Sequence, residues 1–389
     1  MIHTSERIAP PAQPKIRAML LVTGATGYLG SALVRLLLET GLPVRATIRS
    51  EARASLLPDQ VERVFADLGD EQSLVDAMRG CDGVFHLAAS LGPSPEDTRR
   101  SNVDGTARVL AAAARAGVRR LVFTSSSAAI IAASGLVSEQ APNETALVDP
   151  YSTTKAEAEG LLFAAVAEGL DACTVNPVNI YGPSPYGPGS YNGLFLAAAR
   201  GEVTEVVDAP VGWVMAQDVA RGHLLAFEKG EAGRRYVLCG EVVPFGAVLH
   251  RFAELTQSPH RVRALPPGTT LPADAPLFAR RSEVYGKLPP VHIDDAQARA
   301  IGFAPKGIDE GLAITASWLA DRVAPVAPDQ ARRAAGPPRR QDTEKALGLE
   351  VARLFGMKPQ QLIAPKPPRK EIPEQDDEGE SGEPAPGAG

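Results

Sequence analysis

The sequence predicts a doubly wound α/β fold, a parallel sheet with helices on both faces, followed by a smaller lobe. Three observations carry that reading. Between residues 18 and 177, short and nearly continuous apolar runs alternate with amphipathic helical stretches, as in strands buried on both faces and joined by helical crossovers. Gly24, Gly27 and Gly30 in TGATGYLG stand between the first strand and the first helix, where a tight turn can bring an anion to a helix N-terminus. Beyond residue 182 the alternation loosens into Gly/Pro/Tyr-rich loops and shorter elements, the make-up of a lobe closing over the sheet.

Taken in order, AMLLVT (18–23) reads as a buried strand and GYLGSALVRLLLETG (27–41) as a helix ended by Gly41. PVRATIR (43–49) and VERVFAD (61–67) are strands, EQSLVDAMRG (71–80) a helix and GVFHLA (83–88) a strand. NVDGTARVLAAAARAG (102–117) is a long helix and RRLVFTSS (119–126) a strand; YSTTKAEAEGLLFAAVAEG (151–169) is a helix and DACTVNP (171–177) a strand. The domain organisation follows: a loose leader over 1–17 with Pro10, Pro11 and Pro14, a nucleotide-binding domain over 18–181, a substrate lobe over 182–322, and a tail over 323–389. The tail is rich in Pro and Arg and then in Glu, Asp and Gly, so it cannot bury a core. Within it DTEKALGLEVARLFGM (342–357) puts Leu347, Val351, Leu354 and Phe355 on one helical stripe. So short a helix is marginal alone. It is either transient in a disordered tail or docked on a partner, another subunit or the catalytic domain itself.

With 389 residues, 44% hydrophobic and 22% charged, the chain can build a full core. A formal charge of −6 gives no global attraction to nucleic acid. No apolar run has the roughly 18–20 residues of a membrane span, and the opening MIHTSERIAPPAQPKIRAML lacks the apolar core of a secretory signal. Cys81, Cys173 and Cys239 lie far apart without CxxC or Cys/His spacing. That argues against a disulfide framework and a metal site, and makes the reducing cytoplasm the expected location.

The glycine spacing is GxxGxxG, not the GxGxxG of the standard dinucleotide fingerprint. A plain strand–helix turn would look similar, but its place at the first strand–helix junction favours a cofactor cradle. The end of the second strand reads the cofactor. A chain that binds NAD usually carries Asp or Glu there for the ribose 2′-hydroxyl, whereas this one has Arg49, with Arg53 nearby. A guanidinium pairs with a 2′-phosphate that a carboxylate would repel, so NADP(H) is expected in preference to NAD(H), unless Arg49 is merely a solvated surface residue. Tyr151 and Lys155 in YSTTK share one helix face at i and i+4. A free phenol titrates near pH ~10, and an ammonium one turn away would lower it. Ser125, Ser126 and Ser127 end a strand facing the same cleft, where a hydroxyl can steady an oxygen that gains charge. The plain alternative is a surface tyrosine on an amphipathic helix.

With TGATGYLG, ADL at 66–68, HLAA at 86–89, NVDGT at 102–106, FTSSSA at 123–128, PYSTTKAEAE at 150–159 and NPVNIYGP at 176–183, residues 18 to about 320 resemble the extended short-chain dehydrogenase/reductase family, also called the NAD-dependent epimerase/dehydratase family. VRATIRS and GCDGVFHLAA look closest to its dihydroflavonol 4-reductase-like branch, while VARGHLLAFEKGEAGRRYVLCGE (219–241) also looks like bacterial sugar-epimerase relatives. The resemblance implies that the turn Gly24, Ala25, Thr26, Gly27, Tyr28, Leu29 and Gly30 holds the pyrophosphate. It implies that Asp67 and Leu68 contact the adenine, and that Leu87, Ala88 and Ala89 line the path beside ribose and pyrophosphate. Ser125 would add a cofactor contact, and Pro177 and Val178 would hold the nicotinamide. Tyr151 would be the acid/base, Lys155 would hold Tyr151 and the nicotinamide ribose, and Ser127 would be the catalytic serine. Asn102 would tie the fourth helix to the active-site strand. His86 reads as a structural strand residue.

One departure concerns the substrate lobe: where many relatives carry an HVDD-like run, this chain reads WVMAQDVARGH (213–223), keeping Asp218 but placing Ala216 and Gln217 at the usual polar pair. The leading function is an NADP(H)-dependent oxidoreductase interconverting a ketone and a secondary alcohol of a small-molecule substrate. A nucleotide-sugar epimerase or dehydratase that keeps its cofactor bound, and a non-catalytic NADP(H)-binding sensor, are the alternatives. A homodimer is compatible with these readings. Tyr181, Tyr186, Tyr191, Phe195 and Trp213 are candidates for an apolar substrate pocket, or for packing alone.

Overall fold

The computed structural model describes residues 19–90 and 94–323. The expected leader, and the tail beyond residue 323 with its 342–357 stretch, lie outside the described residues. Strand β1 (Met19–Thr23) leaves Leu20, Leu21 and Val22 without exposure, as a central strand covered on both faces must. Helix α1 (Tyr28–Glu39) follows the glycine turn and buries Leu33, Val34 and Leu37. Gly41, at φ +75°, turns the chain back into β2 (Val44–Ile48), the short α2 (Glu51–Ala54) and the outer strand β3 (Glu62–Phe65). The Asp70 carboxylate accepts from the backbone N–H groups of Gln72 and Ser73 and so starts α3 (Glu71–Met78). After β4 (Cys81–His86) the chain runs through α4 (Pro95–Arg99) and a π-helical turn, Arg100–Asp104, into α5 (Gly105–Ala116), which ends at the left-handed Gly117. The expected 102–117 helix thus begins with a widened turn that buries Asn102 and Val103.

Strand β5 (Arg120–Thr124) leads through a 3₁₀ turn at Ser127–Ala129 to β6 (Leu136–Ser138) and the long α6 (Pro150–Ala167). Next come β7 (Ala172–Pro177), β8 (Asn179–Tyr181), α7 (Asn192–Ala199), β9 (Glu205–Val207), β10 (Pro210–Met215) and α8 (Ala216–Lys229). The remainder is β11 (Arg235–Leu238), β12 (Glu241–Pro244), α9 (Phe245–Leu255), β13 (Arg263–Leu265), α10 (Leu277–Gly286), β14 (His292–Asp294), α11 (Ala296–Ala300) and α12 (Ile308–Val323). Seven strands form one parallel sheet in the order β11-β7-β5-β4-β1-β2-β3. Strand order reverses between β1 and β4, so the carboxyl ends of these strands open a crevice at the switch point.

The expected cut at 181/182 does not separate sheet from lobe. Strand β11 pairs parallel with β7 and completes the sheet, and α8 packs on it through Phe227, whose ring lies 5.3 Å from that of Phe85. Conversely β6, from the first half, pairs with β14 of the second. The two halves interleave because the sheet needs a seventh strand and a further covering helix, and the chain supplies them only after its first excursion into the lobe. The lobe core is aromatic: Tyr181, Tyr191, Phe195, Trp213, Phe245 and Phe252 are buried there, with ring centroids 5.1–6.4 Å apart in the pairs that involve Trp213. Tyr181, Tyr191, Phe195 and Trp213 are therefore packing residues, and Tyr186 donates to the Leu56 carbonyl at 2.5 Å.

Gly83 shows how tightly α8 is seated, since a Cβ there would lie 2.1 Å from Phe227 Cε2. Gly83→Ala is expected to cost about 1–3 kcal/mol by overpacking. The measurement is a urea unfolding midpoint that falls at unchanged m-value; an unmoved midpoint would contradict this packing.

Candidate active site

The turn after β1 is built by contact. Gly24 takes φ +72°, and a Cβ on it would lie 2.8 Å from Ala88 N; one on Gly30 would lie 2.1 Å from the Gly24 carbonyl oxygen. Glycine is thus required at both places, by conformation at the first and by the closeness of the backbone at the second. Gly27 caps α1 without a side-chain bond, and the helix has no acidic residue in its first turn, whereas Asp70 and Asp149 cap α3 and α6. The first N–H groups of α1 are left for an anion, which fits a pyrophosphate. Ala25 is fully buried; Thr26 and Leu29 are half-buried. Tyr28 faces the lobe: its hydroxyl donates to the Gly182 carbonyl at 2.7 Å and accepts from Asn192 Nδ2 at 3.0 Å.

The other expected cofactor residues surround that turn. Arg49 is exposed at the end of β2. Asp67 is exposed and its Oδ1 accepts from Gly69 N at 2.7 Å, while Leu68 packs over Gly105. The Leu87 and Ala88 N–H groups bond to the Thr23 carbonyl and hydroxyl, and Ala89 is exposed. Pro177 ends β7, and Val178 N donates to the Leu238 carbonyl at 3.2 Å. Ser125 is buried at the end of β5, and its hydroxyl has no hydrogen-bond partner among the described residues. An orphaned donor and acceptor at the carboxyl edge of the sheet, beside an uncapped helix N-terminus, suits a dinucleotide. His86 is structural as expected: Nδ1 lies 2.7 Å from Thr23 Oγ1 and Nε2 3.1 Å from Thr106 Oγ1, and burial pushes its pKa down to about 3. Asn102 ties the widened turn to Ser90, through both its amide groups, and to Thr154 Oγ1 at 3.1 Å. Its anchor is therefore the helix α6, not the active-site strand.

Helix α6 starts where Asp149 accepts from Ser152 N at 3.1 Å and Pro150 fills the first position. That sets Tyr151 at the mouth of the crevice and Lys155 one turn deeper, buried. Of the three serines, Ser126 is the one whose hydroxyl draws the ionisation of the phenol down. Ser127 lines a small cavity with Val178, Asn179, Gly212 and Tyr285. Locally, Ser126 is extended and caps the 3₁₀ turn, and Ser127 is already inside that turn. Lys155 Nζ donates to the Thr124 carbonyl at 2.6 Å and lies 4.3 Å from the centroid of the Phe123 ring. Burial pushes the Tyr151 phenol up, while Ser126 and then Arg281 pull it down.

Sequence reasoning named Ser126 only as one of three serines, and it missed Arg281 and the pair that fixes α6 in place. Glu159, fully buried, pairs with Arg235 of β11 at 2.7 Å and also bonds Asn176 Nδ2, which itself donates to the Ser126 carbonyl at 3.2 Å. Glu159 lies one turn beyond Lys155 in the motif PYSTTKAEAE, and that position was the only signal of it. Arg281 sits in no motif at all.

Burial pushes the Lys155 ammonium down to about 7, with Glu159 opposing. The unfolded side chain titrates near ~10.4. The depressed folded value means that the unfolded chain binds more protons between those values, so stability rises with pH across about 7–10 and falls as pH returns. Lys155→Met is expected to raise stability at pH 7 by about 1–4 kcal/mol, less whatever the lost contacts contributed, and to flatten that slope. Denaturant titrations at pH 7, 8.5 and 10 measure it; parallel slopes in both proteins would be the contrary result.

Comparison with known proteins agrees with this geometry. Residues 20–239 match the NAD dependent epimerase/dehydratase family. The chain is 34% identical over 330 residues to sterol demethylase protein B of Methylococcus capsulatus, covering 78% of this chain and 98% of that one. It is 36% identical over 252 residues to cinnamoyl-CoA reductase 1 of Petunia hybrida, covering 60% and 74%. Among solved structures, MoeE5 in complex with UDP-glucose and NAD is 30% identical with a TM-score of 0.62, covering 78% and 99%. With more than half of its length inside the family match, and the glycine turn, Tyr151 and Lys155 among the matched residues, the chain belongs to the NAD dependent epimerase/dehydratase family, as an NAD(P)-binding oxidoreductase of the extended short-chain type.

Proposed function

We propose that the protein is an NADP(H)-dependent oxidoreductase that interconverts a ketone and a secondary alcohol. The observation that carries the reading is the placement of Tyr151 in the first turn of α6, one turn from the buried Lys155, with the Ser126 hydroxyl drawing the ionisation of the phenol down. Bound NADP(H) supplies or takes up the hydride. Tyr151 delivers the proton to the carbonyl oxygen in reduction and removes it in oxidation. Ser126 donates to that oxygen as it gains charge, taking the role first expected of Ser127. Lys155 holds the ribose edge of the cofactor. The glycine turn 24–30 and the N-terminus of α1 hold the pyrophosphate, with Asp67 and Leu68 at the adenine and Leu87, Ala88 and Ala89 along the ribose. Arg49, exposed where the 2′-substituent of the adenosine would lie, favours the phosphorylated cofactor. The Petunia relative, named as a reductase, supports the reductase reading.

One observation favours a second reading, a nucleotide-sugar epimerase or dehydratase: MoeE5, 30% identical, was solved with UDP-glucose and NAD. The same Tyr151, Ser126 and Lys155 would serve there, with the cofactor retained. Mass spectrometry of the purified protein separates the two. Tightly held NAD supports the epimerase, and a site that takes up NADPH from solution supports the reductase.

Two sets of variants test the proposal. Tyr151→Phe is expected to bind NADPH normally and to lose at least ~10²-fold in turnover on ketones reduced by the parent protein. Ser126→Ala should lose more turnover than Ser127→Ala. Near-normal turnover in Tyr151→Phe overturns the mechanism, and the reverse order of the serines overturns the reassignment. Arg49→Asp should weaken NADPH binding five- to a hundredfold more than NADH binding, the effect of an ion pair of about 1–3 kcal/mol. Fluorescence titration with both cofactors measures it; equal losses would remove Arg49 from cofactor selection.

A further inference from the structure

Between β8 and α7 the chain runs as a loop over 182–191, whose base and tip are held very differently. The base is closed by the buried Asn192. Its Oδ1 accepts from Gly182 N at 2.9 Å, and its Nδ2 faces the carbonyls of Gly182 and Gly189 at 3.0 and 2.7 Å. The Tyr28 phenol completes this closure, donating to the same Gly182 carbonyl and accepting from Asn192 Nδ2. Its ring packs so closely on Gly189 that a Cβ there would lie 3.0 Å from Tyr28 Cδ2. Helix α8 adds a further tie, from Gln217 Nε2 to the Pro183 carbonyl at 2.9 Å. The tip has no such network. Among the described residues, 184–188 make one hydrogen bond to the rest of the molecule, from the Tyr186 phenol to the Leu56 carbonyl at 2.5 Å, and it is exposed. Gly187, at φ +100°, turns the chain there. Between the tip and α1 lies a cavity of about 270 Å³ lined by Val34, Arg35, Leu56, Pro58, Pro185 and Tyr186, so the tip bridges a void instead of resting on a packed surface. One exposed bond over a void marks a segment whose local opening costs little.

We infer that the 182–191 loop is a strap that opens at its tip to let the dinucleotide cofactor in and out, with the Tyr186 phenol as its latch. The two attachments fall beside the two phosphate-bearing parts of that cofactor. Tyr28 lies in the glycine turn and is the first residue of α1, where the pyrophosphate is set. Leu56 follows α2, which itself starts two residues after Arg49. The strap thus joins the element that would hold the pyrophosphate to the element that follows the reader of the 2′-substituent, and none of these hydrogen bonds reaches Tyr151 or Lys155. The inference rests on the reading of the chain as cofactor-binding, but Tyr186 lies outside every motif behind that reading. Tyr186 is also not one of the groups assigned to the cofactor, so its latch governs the speed of exchange and not the equilibrium. The fraction of molecules with an open strap multiplies entry and release alike. Losing the latch therefore raises both rates together and leaves Kd where it was. A latch of one exposed bond suits an enzyme that exchanges its cofactor in every cycle.

The test follows NADPH on the full-length protein by stopped-flow fluorescence, in association and in displacement by excess NADP⁺, with no substrate present. In Tyr186→Phe, which keeps the ring and loses the bond, both rate constants are expected to rise about two- to tenfold, the effect of one net hydrogen bond, while Kd stays within about twofold. A second protein holds the strap shut: Tyr186→Cys with Leu56→Cys, bridged by a short bismaleimide that spares Cys81, Cys173 and Cys239 because all three are buried. Bridging is expected to slow entry and release by about tenfold or more relative to the unbridged double variant. Rates unmoved in either protein overturn the inference. So does a Kd that weakens in Tyr186→Phe as far as release accelerates, because that is the behaviour of a contact that stabilises the bound state and not of a gate. The same rates are read with NADH, so the strap is tested whichever cofactor the protein prefers. Preference for NADH with both rates moved as expected would overturn the NADP(H) reading alone, and a parent protein that binds neither cofactor would overturn both.

Discussion

The buried pair between Glu159 and Arg235 is the interaction on which the site depends. Both side chains are almost fully buried, 0% and 8% exposed, and two charges are removed from water at a cost that their attraction alone does not repay. The surroundings make up the difference. Arg235 also donates to the Ala141 carbonyl at 2.8 Å and to Asn143 Oδ1 at 3.0 Å, and stacks 4.6 Å from the Phe163 ring centroid. Asn143 Nδ2 in turn holds the Ala156 carbonyl at 2.8 Å. Helix α6 is thereby pinned to the edge strand β11, to the 141–143 loop and, through Asn176, to the backbone of Ser126. Removing one partner would leave an unpaired buried charge, which costs about 3–5 kcal/mol, and would free the rotation that sets Tyr151 against Ser126.

The same network explains why the chain crosses between sheet and lobe more than once. A parallel sheet with an open edge at β7 would leave unpaired backbone groups beside the active-site helix. Strand β11 covers them, and its own edge is closed in turn. Glu139 accepts from Val237 N and Ala298 N, both at 2.9 Å, and so satisfies the strand and the start of α11 together. Burial pushes the Glu139 carboxyl up while these N–H groups pull it down. A carboxylate from the first half of the chain thus seals a strand and a helix from the second half, which is why no single cut in the sequence divides the molecule.

What was legible in the sequence was what depends on near neighbours. Strands β1, β4, β5 and β7 show as continuous apolar runs because both faces of each are buried, and the glycine turn shows because Gly24 and Gly30 answer to backbone contacts within a few residues or just across β4. Tyr151 and Lys155 are one turn apart on one helix. What was not legible is of another kind. Choosing between Ser126 and Ser127 requires knowing that the 3₁₀ turn starts between them, a matter of one dihedral angle that composition does not encode. Placing Tyr181, Tyr191, Phe195 and Trp213 requires the lobe to be assembled, since an aromatic side chain in a loop can line a pocket or fill a core with equal chemical sense. The partner of Glu159 lies 76 positions away and that of Asp149 lies 132 positions away. Neither separation leaves a periodic trace.

These long-range partners also divide the electrostatics of the site. Lys155 lies beneath the helix with a backbone carbonyl and an aromatic face as its contacts, and burial brings its ionisation toward neutrality. Arg281, by contrast, keeps its charge at any pH at which the protein is folded, being tied to Asp149 and lying over the Tyr285 ring. The two cations therefore differ in kind. The one from the sheet side changes charge within the working range of pH, and the one from the lobe does not. Paired with the residue that caps α6, Arg281 ties the lobe to the first turn of the helix that carries Tyr151, so the lobe does more than enclose a substrate.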